Sequence, residues 1–248
     1  MNRKYVIFLL LGSIFFGNTE LDQSNSQSSE ILGTILSGYN KDISFTLDAS
    51  NSKMKFSMNV SMLHLEDGPI VTKIFAECME PEEVEGMHVW IWDYSDGGNQ
   101  IWITRPGSGK LIDITGKDFM LPIDITSIQL DSSILEQFHT TVDTVDYNGV
   151  ESYLIDFYKI RKTRKIGPMM KAWIGISDNQ ILKIQKLSRK GKLIGETLFK
   201  EYFKDFPKKV IINEIKNKDE ITINISNYNE SPFEDLKIFE PLDKNSEK

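Results

Sequence analysis

The sequence predicts a mainly β protein: a strongly curved antiparallel sheet or barrel of about eleven strands, with short helices covering its mouth. Three observations carry this. Residues 53–63, KMKFSMNVSML, alternate with period two, so that Met54, Phe56, Met58, Val60 and Met62 point one way and Lys55, Ser57, Asn59 and Ser61 the other. From Ile43 onward the chain keeps that period in short runs, parted by Asp67-Gly68, Gly97-Gly98, Pro106-Gly107 and Asn148-Gly149. No crossover helices separate the strands, which excludes a parallel α/β sheet.

Taken in order, a polar linker at 20–28 leads into 29–39, SEILGTILSGY, where Ile31, Leu32, Ile35 and Leu36 stand at helical spacing behind Ser28 or Ser29 as N-cap. The segments 42–50, 53–63, 69–80, 87–94, 100–106 and 110–115 then read as a meander. Residues 117–139 break the pattern, and LDSSILEQF at 130–138 offers a second short helix capped by Asp131 or Ser132. Strands resume at 140–160, around the Asn148-Gly149 hairpin signal, and continue through 169–203, 208–216 and 220–228. One domain, 29–241, is expected, followed by a charged tail at 242–248.

Composition narrows the function classes. The 248 residues carry a formal net charge of -7, with acidic residues spread along the chain, so there is no basic stripe for nucleic acid. The single cysteine, Cys78, has no intrachain partner, and His64, His88 and His139 are too scattered to make a metal cluster. ITRPGSGKL lacks the first glycine and the final hydroxyl of a phosphate loop, and DYSDGG lacks two ligands of a calcium loop, so both read as turns. Glu80, Glu82, Glu83 and Glu85 form an acidic run of the kind that is usually solvated loop. No nucleophile motif occurs, and neither a cofactor, a metal nor catalysis is expected.

The amino terminus reads as a secretory signal peptide over 1–19. Arg3 and Lys4 precede the apolar run from Tyr5 to Phe16, which is shorter than a membrane span, and small or polar residues follow it. No cysteine follows to carry a lipid, so a soluble exported protein is expected, with the cleavage site open.

The apolar residues suggest a binding surface. Three methionines in one strand offer a flexible, polarizable face for guests of variable shape. Trp90 and Trp92 share a face on their strand, and Trp102 stands across the turn to join them. With only two short helices available as a second layer, Met54, Phe56, Met58, Val60, Met62, Phe75, Trp90, Trp92 and Trp102 are the candidate cavity lining.

The order of these features resembles the LolA-like family of periplasmic lipoprotein carriers. The resemblance rests on the leader, the first helix, FAECMEPEEVEGMHVWIW, QIWITRPGSGKLIDI, LPIDITSIQLDSSIL, NGVESYLIDF, AWIGISDNQILKIQKLSRKGK and the final NYNESPFEDLKIFEP, over about residues 29–241. It implies an unclosed half β-barrel whose helices act as a lid over an apolar cavity for lipoprotein acyl chains. It further implies a monomer that shields its lipidic cargo, in the manner of a chaperone, between an inner-membrane donor and an outer-membrane acceptor. In one respect the sequence departs from the family pattern. Those carriers place a lid-closing arginine before the proline of the third-strand step, whereas Met79 and Glu80 precede Pro81 here. The rival functions are an envelope sensor that uses the same half-barrel to bind a lipidic signal, which calls for a further signalling domain, and a lipid enzyme, which calls for a clustered acid, base and nucleophile.

Overall fold

The structure is a computed structural model that describes residues 26–37, 41–95, 98–116, 138–159, 167–215 and 219–241. The leader, the charged tail and the helix expected at 130–138 lie outside these residues, apart from Phe138, which opens a strand.

The described residues form one antiparallel sheet of thirteen strands and one α-helix, α1 (Ser26–Ser37). The strands are β1 (Ile43–Ser50), β2 (Lys55–His64), β3 (Ile70–Glu80), β4 (His88–Tyr94), β5 (Asn99–Thr104), β6 (Leu111–Asp113), β7 (Phe138–Tyr147), β8 (Val150–Lys159), β9 (Met170–Gly175), β10 (Ile181–Leu187), β11 (Leu193–Phe203), β12 (Phe206–Glu214) and β13 (Asp219–Glu230). Their hydrogen-bonded order is β6-β5-β4-β3-β2-β1-β13-β12-β11-β10-β9-β8-β7. The sheet is not closed, since β6 and β7 stand at its two ends. The count exceeds the expected eleven because 169–203, one long run on the page, folds as three strands.

The chain divides into two compact units. The first holds β1 to β6, most of β13 and the C-terminal segment. Directly opposed residues of an antiparallel ladder share a face, and here they form a rung across six strands: Phe45, Val60, Ala76, Val89, Ile103 and Ile112. The first five are buried. Beside this rung Leu47, Met58 and Cys78 form another, also buried.

The second unit holds α1 and β7 to β12, with the start of β13. It repeats the device with Val142, Ile155, Ala172, Ile184, Thr197 and Ile212, again one rung over six strands. Helix α1 buries Ile31, Leu32 and Ile35, as the spacing predicts. Ser28, however, is not the N-cap, because α1 begins at Ser26. Its hydroxyl is buried and meets the Thr140 hydroxyl of β7 at 2.5 Å, which gives both polar groups a partner away from water.

Turn chemistry follows the sequence closely. Asn148 and Gly149 both take positive φ, 55° and 83°, between the paired Tyr147 and Val150, the two-residue geometry that suits the twist of a hairpin. In RPGSGK the Arg105 N–H donates to the Lys110 carbonyl and the Gly109 N–H to the Arg105 carbonyl, which makes it the expected tight turn.

One residue of the polar side of β2 departs from expectation. Ser57 pairs with Glu80 while Met58 pairs with Cys78, so Met79 is an extra residue that bulges out of β3 and is exposed. Ser57, beside this bulge, is buried.

The two faces of β2 differ testably. Met58 has no exposed surface, so Met58→Glu buries a carboxylate without a partner and should cost several kcal/mol, on the order of 3 or more. Asn59→Glu, on the exposed side, should change stability by about 0.5 kcal/mol or less. Urea unfolding of both variants against the parent measures the difference, and equal midpoints would contradict the face assignment.

Candidate functional site

The nine candidate lining residues all lie in the first unit, but the strand register divides them between two faces. Phe56, Met58, Val60 and Met62 share the apolar face and are buried, opposed by Ala49, Leu47, Phe45 and Ile43 of β1. Met54 precedes β2 in a turn, half-buried, with its carbonyl accepting the Asn51 N–H at 3.0 Å. Phe75 instead opposes Ser61 on β2 and Trp90 on β4, and Trp90 opposes Trp102 on β5. Trp92 opposes Lys73. These four aromatic residues therefore occupy the face opposite the methionines, and the nine residues cannot line one surface. The sequence held the clue: with period two, Phe75 falls between Lys73 and Glu77, on the charged side of β3.

The aromatic face is covered by the chain itself. Residues 231–241 follow β13 and include a single 3-10 turn at Leu236–Phe239, capped by Asp235, whose carboxylate accepts the Lys237 N–H at 2.8 Å. The Trp90 indole N–H donates to the Ile238 carbonyl at 2.8 Å, and that of Trp92 to the Phe239 carbonyl at 2.9 Å. Lys73 sits 4.2 Å from the centre of the Trp92 ring and 2.5 Å from a Glu240 carboxylate oxygen, so one cation ties strand to strap. Phe239 is fully buried and meets Phe233 edge to face at 4.8 Å. Around the row, Trp92 and Trp102 pack at 5.0 Å, Phe75 and Trp90 at 5.6 Å, and His88 stands edge-on to both Phe75 and Trp90. The second layer that the helices could not supply is this C-terminal strap.

The second unit carries a comparable clamp. Lys183 of β10 lies 5.2 Å from the Trp173 ring and 5.6 Å from the Tyr147 ring, with Glu196 of β11 at 2.7 Å. Gln185 donates to the same Glu196 carboxylate at 2.9 Å. Burial pushes the Glu196 carboxyl up, but the hydrogen bonds from Lys183 and Gln185, with the Lys183 charge, outweigh it and hold the group below the usual carboxylate range.

Burial, assisted by the charge of Glu77, pushes the Cys78 thiol up to about 12, so it sits in β3 as a small buried hydrophobe. Among the described residues, no three His, Cys, Asp or Glu side chains stand close enough to hold a metal. At the Pro81 step, Glu80 pairs with Lys55 at 2.9 Å across the end of the β2–β3 ladder. Both partners are largely exposed, so the pair contributes little.

The strap and the second clamp each predict an outcome. Trp92→Phe keeps an aromatic ring but removes the indole N–H and part of the ring surface that meets Trp102 and Lys73, and should cost about 1 kcal/mol for the hydrogen bond with a further loss for the packing, read by urea unfolding. Deleting 231–248 should strip the cover from Trp90 and Trp92, shift tryptophan emission to the red and lower the melting temperature; unchanged emission would contradict the strap. For Glu196 the folded-state value is lowered, so its contribution is present above the unfolded value of about 4.3 and is lost as pH falls through the folded value. Glu196→Gln should therefore reduce stability at pH 7 more than at pH 3, read from urea midpoints at the two values.

No protein-family model and no curated protein sequence matches the chain. Solved structures do. A domain from Vibrio parahaemolyticus classed with outer membrane lipoprotein-sorting proteins superimposes with a TM-score of 0.65 at 16% identity, covering 85% of this chain and 95% of that one. A DUF1329 family protein from Desulfovibrio piger gives 0.68 at 13% identity over 88% and 98% of the two chains. A LolA superfamily protein from Nitrosomonas europaea gives 0.52 at 11% identity, again over 88% and 98%. At these identities the likeness is one of fold, and the resemblance read from the sequence holds at that level: the chain has the fold of the LolA-like lipoprotein-sorting structures.

Proposed function

We propose that the chain is a periplasmic lipid-binding carrier, which takes acyl chains of lipoproteins or another lipidic cargo onto the apolar face of its sheet. The observation that carries this reading is the rung, apolar but for Thr197, that crosses six strands in each unit, on a fold shared with a domain classed with lipoprotein-sorting proteins. Burial of a methylene stabilises by about 0.8 kcal/mol, so a 16-carbon chain resists entering water by roughly 12 kcal/mol and needs a sleeve in transit. Met54, Phe56, Met58, Val60 and Met62 stay in the proposed lining. Phe75, Trp90, Trp92 and Trp102 leave it, since they face the strap.

Phe56, Met58, Val60 and Met62 are buried in this structure, so loading requires that row to open and repack around the cargo. Unbranched methionine side chains tolerate such repacking better than β-branched ones. On this reading the leader 1–19 is removed on export, and the domain 29–241 works as a monomer. It moves cargo from an inner-membrane donor to an outer-membrane acceptor without catalysis.

The test begins with protein exported by its own leader and purified without detergent. Mass spectrometry of the organic extract should show acyl lipid near one equivalent, and N-terminal sequencing should place the new terminus near residue 19. A fluorescent fatty-acyl probe at 100 times its Kd should stabilise the fold by about 2.7 kcal/mol. Met62→Ala should alter probe uptake while Trp92→Phe leaves it unchanged. An extract without lipid, together with no thermal shift, would overturn the proposal.

A further inference from the structure

The connection from β10 to β11 carries three cations in four positions, Arg189, Lys190 and Lys192, in a chain whose formal net charge is -7. All three are exposed. The loop that presents them is built rather than slack. The Ser188 N–H donates to the Lys192 carbonyl and the Gly191 N–H to the Ser188 carbonyl, both at 2.8 Å, while the Ser188 hydroxyl accepts the Lys192 N–H at 3.0 Å. Gly191 takes a φ of 73°, which closes the turn at no steric cost. Arg189 and Lys190 are thereby held at the tip.

Next to this tip the sheet exposes aliphatic surface. Ile194 and Ile215 are 46% and 48% exposed. They are joined by the Ile215 N–H to the Ile194 carbonyl at 3.1 Å, one step beyond the Gly195–Glu214 pair, so the two side chains stand opposed on one face. Single exposed apolar residues are ordinary; two opposed isoleucines beside three cations are an amphipathic tip. From Ser188 to Gly195 there is no carboxylate. Of the nearest two in register, Glu196 is occupied by Lys183 and Gln185, and Glu214 lies half-buried beside Gly195.

We propose that this tip docks on the anionic headgroup surface of a lipid bilayer, with Arg189, Lys190 and Lys192 among the phosphates and Ile194 and Ile215 at the boundary with the acyl region. Charge complementarity selects the occupant: a dense negative surface attracts clustered cations, and aliphatic side chains beside them gain by leaving water. The inference does not depend on the cargo reading, since it concerns the outer rim of the second unit and no lining residue.

Vesicle binding of the full chain tests it, with phosphatidylcholine vesicles containing 30% phosphatidylglycerol against phosphatidylcholine alone. Each cation near such a surface contributes about fivefold, so the triple variant Arg189→Gln, Lys190→Gln, Lys192→Gln should bind the anionic vesicles roughly a hundredfold more weakly than the parent. A control of equal charge change, Lys53→Gln, Lys110→Gln, Lys200→Gln, removes exposed lysines elsewhere and should bind within about twofold of the parent. Ile194→Ser with Ile215→Ser should weaken binding about tenfold at unchanged charge. The apolar run at 5–16 is common to all forms and cancels between them. All variants change exposed residues, and matching melting temperatures confirm that they fold. If the tip variant and the control bind anionic vesicles equally, the proposal fails, and so it does if the isoleucine pair can be changed without effect.

Discussion

The structure depends on one geometric constraint: in an antiparallel ladder, residues that oppose one another share a face, and a strand cannot change faces without an irregularity. From Phe45 to Ile112 in one unit, and from Val142 to Ile212 in the other, six consecutive strands obey this with a rung that is apolar but for Thr197. A slip of one residue in any of these pairings would exchange a rung residue for its neighbour on the other face, for example Val60 for Asn59 or Ser61. The apolar face is thus a collective property of the register, and neither unit can lose one strand's alignment cheaply.

The opposite face of the first unit obeys a different logic. Aromatic residues there carry polar edges, and the strap satisfies them: two indole N–H groups end on two consecutive carbonyls, and the Lys73 ammonium lies between a ring and a carboxylate. Tryptophan suits such a place because its apolar body packs while its N–H demands an acceptor. The second unit reaches a similar end with Lys183 between two rings and Glu196, this time using only strands.

Much of this was legible in the sequence, and the part that was not has a definite cause. Alternation fixed the faces within β2, and Asn148-Gly149 fixed a hairpin, because both signals are local. Period two within β3 already put Phe75 on the charged side with Lys73 and Glu77, but joining that side to the polar side of β2 takes the register of the two strands, which pairs Ser61 with Phe75 and Val60 with Ala76 and which no local signal specifies. Ser28 looked like a cap because a serine ahead of an apolar run usually is one, but its partner Thr140 lies 112 positions away in the chain. The strap was invisible for a like reason. Nothing in the string SPFEDLKIFEP says which face it will cover, although the unmatched indoles at 90 and 92 signalled that some acceptor was needed.

An open sheet leaves two edges, and an edge is a template on which another chain can polymerise. The two ends of this one carry distinct safeguards among the described residues. β6 is only three residues long, Leu111–Asp113, too short to seed a stable added strand. β7 is ten residues long, yet it exposes Asp143 and Asp146 along with Thr141 and Thr144, so a second copy docking edge to edge would bring like charges together over the same backbone. An open sheet that resists aggregation with its own kind needs such edges. In this chain the guarding is done by strand length at one end and by charge at the other.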